Sequence, residues 1–313
     1  MIEIIGHALV PIFFVIALGY LGGLRGRVDN HHVGELNTLV MDYALPASLF
    51  VATATTPWQR MRGEEGILLS IALGMMIPYL LWYLLARWRR VSRQESATEA
   101  LTVALPNFAA AGLPIIQAVV GTSGTVHVAI AIAAGSILPS PITLLILELN
   151  KPSDESVPRS RKIAQAVTRA FTKRIVIAPI AGTLLSASGI ALGPLVTSSL
   201  QLIGVSAGGV ALFLTGLVLS SQPFRLNGNV AIGTITANIL QPALVWALTL
   251  VLMIPADQAR IAILLAAMPS GFFGILFGIN YKNVSENVGS TVIASTLLSL
   301  VTVGFVIYFF FPA

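Results

Sequence analysis

The sequence predicts an all-α integral membrane protein: ten transmembrane helices in two inverted five-helix repeats, with helices 4 and 9 broken where they cross. Three observations carry this expectation. Apolar residues make up 56% of the 313-residue chain and charged residues only 10%, with a mean hydropathy of +0.86, which leaves too little polar surface for a water-soluble domain. The basic residues segregate to one side once the apolar segments are counted as spans. The two halves also carry helix-breaking residues at matching places.

A helix needs about 20 apolar residues to cross a bilayer. The chain offers ten such segments, at 4–23, 36–55, 66–88, 99–120, 125–147, 173–191, 196–220, 229–253, 259–279 and 287–311. The opening stretch MIEIIGHALVPIFFVIALGYLGGLRGR has Arg25 and Arg27 after its apolar run and no small-residue cleavage site, so it reads as an uncleaved first span with its N-terminus outside. In that orientation the inner loops and helix ends hold every Lys and Arg except Arg60, Arg62 and Arg260. One missed span would scramble this asymmetry, so it supports ten spans with both termini outside. It also accounts for the net charge of +5 without nucleic acid. The absence of cysteine excludes disulfides and thiolate metal sites.

The expected organisation is a first repeat at 1–149, a basic cytoplasmic connector at 150–172 that joins the halves, and a second repeat at 173–313. PYLLWYLL (78–85) and PALVWALT (242–249) share Pro, Leu and Trp; LNTLVMDYALPASLF (36–50) lies over LQLIGVSAGGVALFL (200–214); ALPN (104–107) falls on AMPS (267–270). Five spans per half is an odd number, which inverts the second copy relative to the first.

Span 4 contains TVALPNFAAAGLPII (102–116), with Pro106, Asn107, Gly112 and Pro114 near its middle; span 9 contains AAMPSGFFGILFG (266–278), with Pro269, Ser270, Gly271 and Gly274. A proline inside a helix removes a donor and clashes with the carbonyl four residues back, at a cost of about 3 kcal/mol or more. Irregular backbone at that depth survives only when packed in protein or lining a cavity. Ala109, Ala110, Ala111, Gly112, Gly271 and Gly274 are small enough for two backbones to approach closely. The expectation is a crossing near the midplane whose half-helix N-termini offer N–H groups and positive dipole ends to a ligand. Ordinary proline kinks in packed helices are the competing reading, and the matched positions favour the site.

The sign of the ligand follows from composition. No Lys or Arg lies in a span core, and spans 5 and 10 carry no midplane Asp, Glu or Lys of the kind a cation antiporter uses as a proton relay. Asn107, Ser270 and backbone amides suit a carboxylate. Asp42, in LVMDYALP, is the acidic residue clearly inside a span; burying it charged costs about 2.5–3.5 kcal/mol. It reads as a group that binds H⁺ or Na⁺, against the alternative that it snorkels or caps local packing. Pro46, one turn on, kinks span 2, and Asn37 and Thr38 lie toward the inner end of that span. His7 and His127 stand at span ends, and His31 and His32 in an inner loop lack the surrounding partners of a metal site. Trp58, Trp82, Trp88 and Tyr308 read as interfacial anchors. The glycines of VSAGGVALFLTGLVLS (205–220) read as sites of tight helix packing. No span holds a Ser/His/Asp set or a metal-ligand cluster, so neither enzyme activity nor a resident metal or organic cofactor is expected.

TVALPNFAAAGLPIIQAVVG and MPSGFFGILFGINY resemble the auxin efflux carrier family, and the resemblance runs over essentially the whole chain. MDYALPASLF, TPW (56–58), ALFLTGLVLS and GFFGILFG are similar to the bacterial malonate carriers of that family. The resemblance implies an elevator-type carrier, usually dimeric, with spans 1, 2, 6 and 7 as scaffold and spans 3–5 and 8–10 moving with the substrate. It places Pro106, Asn107, Pro269, Ser270 and Gly271 at the carboxylate site, and Asp42 on the scaffold facing the moving part. Pro46, Gly112, Pro114 and Gly274 serve helix breaks and packing. Position 270 departs from plant members, where a longer amide-bearing residue is usual, so the ring-bearing auxin itself is not implied. The expected function is secondary transport of a small organic acid anion across a bacterial inner membrane, with malonate uptake coupled to H⁺ or Na⁺ as the leading case. A carrier of another small mono- or dicarboxylate, an efflux carrier and a channel-like uniporter are the alternatives.

Overall fold

Three of the prolines mark where helices change their turn, and others do not. The computed structural model describes residues 2–28, 33–61, 63–150, 160–161, 164–165, 168, 172–283 and 285–312. Among these the architecture is all-helical: α1 (Ile2–Leu24), α2 (Val33–Thr38), α3 (Leu45–Thr55), α4 (Glu65–Trp88), α5 (Arg93–Ala104), α6 (Leu113–Val119), α7 (Thr125–Ile137), α8 (Pro139–Leu149), α9 (Arg174–Ala187), α10 (Pro194–Gly204), α11 (Ser206–Ser220), α12 (Gly228–Ile235), α13 (Gln241–Val251), α14 (Ala256–Ala266), α15 (Phe273–Asn280) and α16 (Glu286–Phe310). Six helical stretches are long and apolar enough to cross a membrane: Val33–Thr55, Glu65–Trp88, Thr122–Leu149, Pro194–Ser220, Gly228–Val251 and Glu286–Phe310. The other expected spans fall on α1, on α9 and on two interrupted pairs, α5 with α6 and α14 with α15.

Three helices pass through a π turn, at Leu39–Ala44, Phe108–Gly112 and Thr236–Leu240. Each turn ends two residues before a proline: Pro46, Pro114 and Pro242. A proline ring collides with the carbonyl four residues back and offers that carbonyl no N–H. Widening the preceding turn by one residue moves the carbonyl aside. The turns close on Leu45 N–H to Val40 O, Leu113 N–H to Phe108 O and Gln241 N–H to Thr236 O. Pro11, Pro78 and Pro179 instead sit in uninterrupted helix. The sequence-matched pair Pro78 and Pro242 therefore shapes its two helices differently.

Glycines set the closest helix contacts. A Cβ on Gly19 of α1 would stand 2.0 Å from Phe213 O, and one on Gly216 of α11 would stand 1.9 Å from Ile16 O, so these two backbones touch. Gly182 does the same for α9 against α3, where a Cβ would lie 2.6 Å from Phe50 O. Of the glycines in VSAGGVALFLTGLVLS, Gly216 makes the tight contact, whereas Gly209 has no atom within 4 Å of a built Cβ. A second set of contacts joins α4, α5 and α8, joins α12 to α16 and α13 to α4, and brings α15 onto α5. There Gly274 lies so close to α5 that a Cβ would reach 2.9 Å from Thr98 O. The two sets meet where α11 packs on the π turn Phe108–Gly112.

Trp82 departs from its expected interfacial role. It is buried and donates from Nε1 to Glu99 Oε2 at 3.4 Å. Trp88 and Tyr308 are exposed. His31, His32 and most of the 150–172 connector lie outside the described residues.

Candidate functional site

The two broken helices hydrogen-bond to each other at their breaks. After Ala104 the backbone extends through Leu105–Asn107, and after Ala267 it leaves helical geometry around Ser270. Asn107 N–H donates to Pro269 O at 2.7 Å and Gly271 N–H donates to Leu105 O at 2.8 Å, an antiparallel bridge of Pro106 with Ser270. Gly271 eases this approach, since a Cβ there would lie a tight 3.1 Å from Leu105 O. Behind the bridge, Ser270 N–H donates to Ser295 Oγ (2.8 Å), and Ser295 donates to Asn238 Oδ1 (2.6 Å). Gln241 Nε2 donates to Ala104 O at 2.8 Å, which satisfies a carbonyl stranded at the end of α5. Each buried hydrogen bond contributes about 0.5–1.5 kcal/mol net, so the bonds across the breaks together match the order of the cost of a proline inside a helix.

Much of the N–H surface expected to be free at the breaks is thus already used. Asn107 also caps its own half-helix: its Oδ1 accepts from Ala110 N–H at 3.1 Å. With Oδ1 fixed there, the Nδ2 group keeps both of its donors uncommitted among the described residues. Ser270 is 2% exposed, and its buried hydroxyl has no hydrogen-bond partner among the described residues.

A cavity of about 250 Å³ opens beside the bridge. Pro106, Asn107, Ala109, Asp42, Asn37 and Lys173 are among its lining residues, and Ser136, Ser140 and Asn280 add further polar groups. The bridge brings Pro106, Asn107, Pro269, Ser270 and Gly271 together, but of these only Pro106 and Asn107 line the cavity. Asp42 lines it from the π turn that Pro46 imposes. Pro114 lines a second polar cavity of about 630 Å³, together with Thr55, Thr56, Gln117, Ser123 and Gln201. Ala110, Ala111 and Gly112, all buried, belong to the lining of neither cavity and pack against α11 between them.

Two residues here escaped sequence reasoning. The expectation that no cationic side chain reaches the site is corrected by Lys173, which stands just before α9 and lines the cavity with Asn107. Its place at the first residue of an apolar run was the available signal, but positive-inside counting absorbed it. Glu99 is the buried acid here, whereas Asp42, expected to be buried inside a span, is exposed where it lines the cavity. Glu99 is 5% exposed and accepts from Asn287 Nδ2 at 2.9 Å. His127, expected to be wet, is half-buried in contact with Glu64, Nε2 to Oε2 at 3.3 Å.

Broken helices joined at a polar cavity, in an all-helical apolar chain, define the class as a membrane transporter. The family model described as "Membrane transport protein" matches residues 4–307, and the chain belongs to this family, the auxin efflux carrier family that its break motifs resemble. It is 26% identical over 295 residues to "Uncharacterized transporter YfdV" of Escherichia coli (strain K12), covering 94% of this chain and 93% of that one. It is also 26% identical over 318 residues to the "Putative malonate transporter" of Rhizobium meliloti (strain 1021), covering 98% and 96%. Identity to "Auxin efflux carrier component 8" of Arabidopsis thaliana is 22% over 347 residues, covering 94% of each chain.

Proposed function

We propose that the protein is a secondary active transporter of small organic acid anions, with malonate as the leading substrate and a carboxylate bound at Asn107 beside the crossing of the broken helices. One observation carries the reading: Asn107, fixed through Oδ1 to its own half-helix, holds two amide donors with no partner among the described residues, at a small cavity that Lys173 also lines. Amide donors and an ammonium group suit a carboxylate and no cation. The likeness to a protein named as a malonate transporter supports the substrate. In this reading Pro269, Ser270 and Gly271 hold the break open from behind, and Asp42 is the coupling group. Moving a dianion into a cell against an inside-negative potential costs about 2.3 kcal/mol per charge per 100 mV, so a co-transported H⁺ or Na⁺ is required for accumulation. The elevator motion and the homodimer that the family resemblance implies belong to the same proposal.

The test is uptake of labelled malonate into proteoliposomes, with pH and Na⁺ gradients imposed separately, for wild type, Asn107→Ala and Asp42→Asn. Uptake that needs one gradient and collapses with Asn107→Ala supports the reading. If another small acid moves and malonate does not, the site stands and the substrate changes. If Asn107→Ala transports as wild type does, the crossing is not the binding site.

A further inference from the structure

We propose that Lys173 receives the second carboxylate of a short dicarboxylate whose first carboxylate lies on Asn107, and that this contact is what makes the site prefer doubly charged over singly charged acids. The inference rests on the reading that Asn107 binds a carboxylate, and it adds the residue that reads the other end of the substrate. Lys173 is half-buried, and Asp42 is the acidic residue that shares the lining of its cavity. Among the described residues neither forms an ion pair with the other within 4 Å. The ammonium group is therefore not held in an ion pair, at a site whose other lining is the Asp42 carboxylate, which attracts it at longer range, together with amides, hydroxyls and apolar groups.

The backbone fixes where this charge enters. Lys173 is extended, at φ −63° and ψ 132°, and its carbonyl accepts from Val176 N–H and Ile177 N–H, so its main chain anchors the first turn of α9. The four-carbon stem is free of that role and delivers a mobile point charge. Asn107 and Lys173 come from different helix sets: α9 packs on α3, while Asn107 sits at the bridge to the α14–α15 break. A diacid held by both would span the gap between these sets. A sphere of about 250 Å³ is about 8 Å across, room for the atoms of a short diacid, whose hydrogen bonds at either end then reach out to the wall. A monoacid would use the Asn107 end alone and leave Lys173 uncompensated. A bulky or long acid would not fit between the two.

The experiment compares binding of malonate and of its monomethyl ester, which removes one charge and adds only a methyl group, to purified wild type, Lys173→Gln, Lys173→Arg and Asn107→Ala. Wild type is expected to bind malonate more tightly than the half-ester. Lys173→Gln is expected to weaken malonate by about tenfold or more, the scale of one charged hydrogen bond, and to leave the half-ester unchanged, so that the preference disappears. Lys173→Arg keeps the charge and should retain the preference, which separates the charge effect from a folding defect. Equal weakening of both ligands in Lys173→Gln, or no weakening of either, overturns the inference. So does a wild type that prefers none of the two-, three- and four-carbon diacids to its half-ester. Loss of all binding in Asn107→Ala, with the Lys173 variants unaffected, leaves the crossing site standing while refuting the role of Lys173. Wild-type binding in Asn107→Ala refutes the site itself.

Discussion

Replacing Asn107 by aspartate separates its two duties, because the substitution keeps one and reverses the other. The side chain caps the half-helix that starts at Phe108 by accepting from Ala110 N–H at 3.1 Å. Aspartate caps as well as asparagine does, and a negative charge at a helix N-terminus adds about 0.3–1 kcal/mol. Because Asn107 is 7% exposed, this gain is set against the roughly 2.5–3.5 kcal/mol that a charge buried in a span costs, so stability should fall by about 3 kcal/mol at most. The Nδ2 donors, however, become a second acceptor with negative charge. At about 4 Å and an effective dielectric near 20, a bound carboxylate would be repelled by about 4 kcal/mol, close to a thousandfold in affinity. Asn107→Ala should behave differently: loss of the cap costs about 1 kcal/mol of stability, and loss of a hydrogen bond to a charged ligand costs about 1.5–3 kcal/mol, roughly ten- to hundredfold in uptake. Fluorescence-detected thermal unfolding and labelled-acid uptake at neutral pH measure the two quantities on the same preparation. Asn107→Asp that is as stable as wild type and transports normally would show that the amide does not face the substrate.

Gly216→Ala places a Cβ 1.9 Å from Ile16 O, and it should force α1 and α11 apart at a cost of about 1–3 kcal/mol or more, read as loss of monodisperse protein on size exclusion. Gly209→Ala, with no atom within 4 Å, should be neutral or slightly stabilising in the same assay. Glu99→Ala strands the Nδ2 donors of Asn287 and the Nε1 donor of Trp82 and should lower stability by about 1–3 kcal/mol, whereas Glu99→Gln, which keeps an acceptor, should lose less. Asp42→Asn should remove the dependence of uptake on its driving gradient; unchanged gradient dependence would exclude Asp42 as the coupling group.

The sequence carried the features that depend on pattern along the chain. Pro106 and Pro269 marked the two breaks because the cost of proline in a helix is local, and their shared depth hinted that the breaks meet. What pattern could not reach was how the freed backbone groups are used. The bridge consumes Asn107 N–H and Gly271 N–H, and Ser295, fourteen residues beyond Tyr281 in α16, takes Ser270 N–H. That removes Ser270 from the cavity, although its small polar side chain had suggested a ligand contact. The π turns before Pro46, Pro114 and Pro242 were also hidden, since the local sequence gives a kink but not the way the helix relieves it. Lys173 was misjudged for a related reason: a Lys at a span end satisfies the topology rule wherever its flexible stem points, and only tertiary packing puts it in the lining of the cavity that Asn107 also lines.

The chain has no cysteine, so a single introduced thiol reports on one place alone. Ser136 lines the cavity beside Asn107, and Ser123 lines the second cavity beyond the buried Ala110–Gly112 segment. The decisive measurement is the rate at which Ser136→Cys reacts with a maleimide, with and without malonate, and with Asn107→Ala added in the same chain. A carboxylate bound at the crossing should slow labelling of Ser136→Cys in a saturable way, and Asn107→Ala should abolish that protection. Labelling of Ser136→Cys that no small acid slows, while Ser123→Cys is protected, would put the substrate on the other side of the crossing and contradict the site.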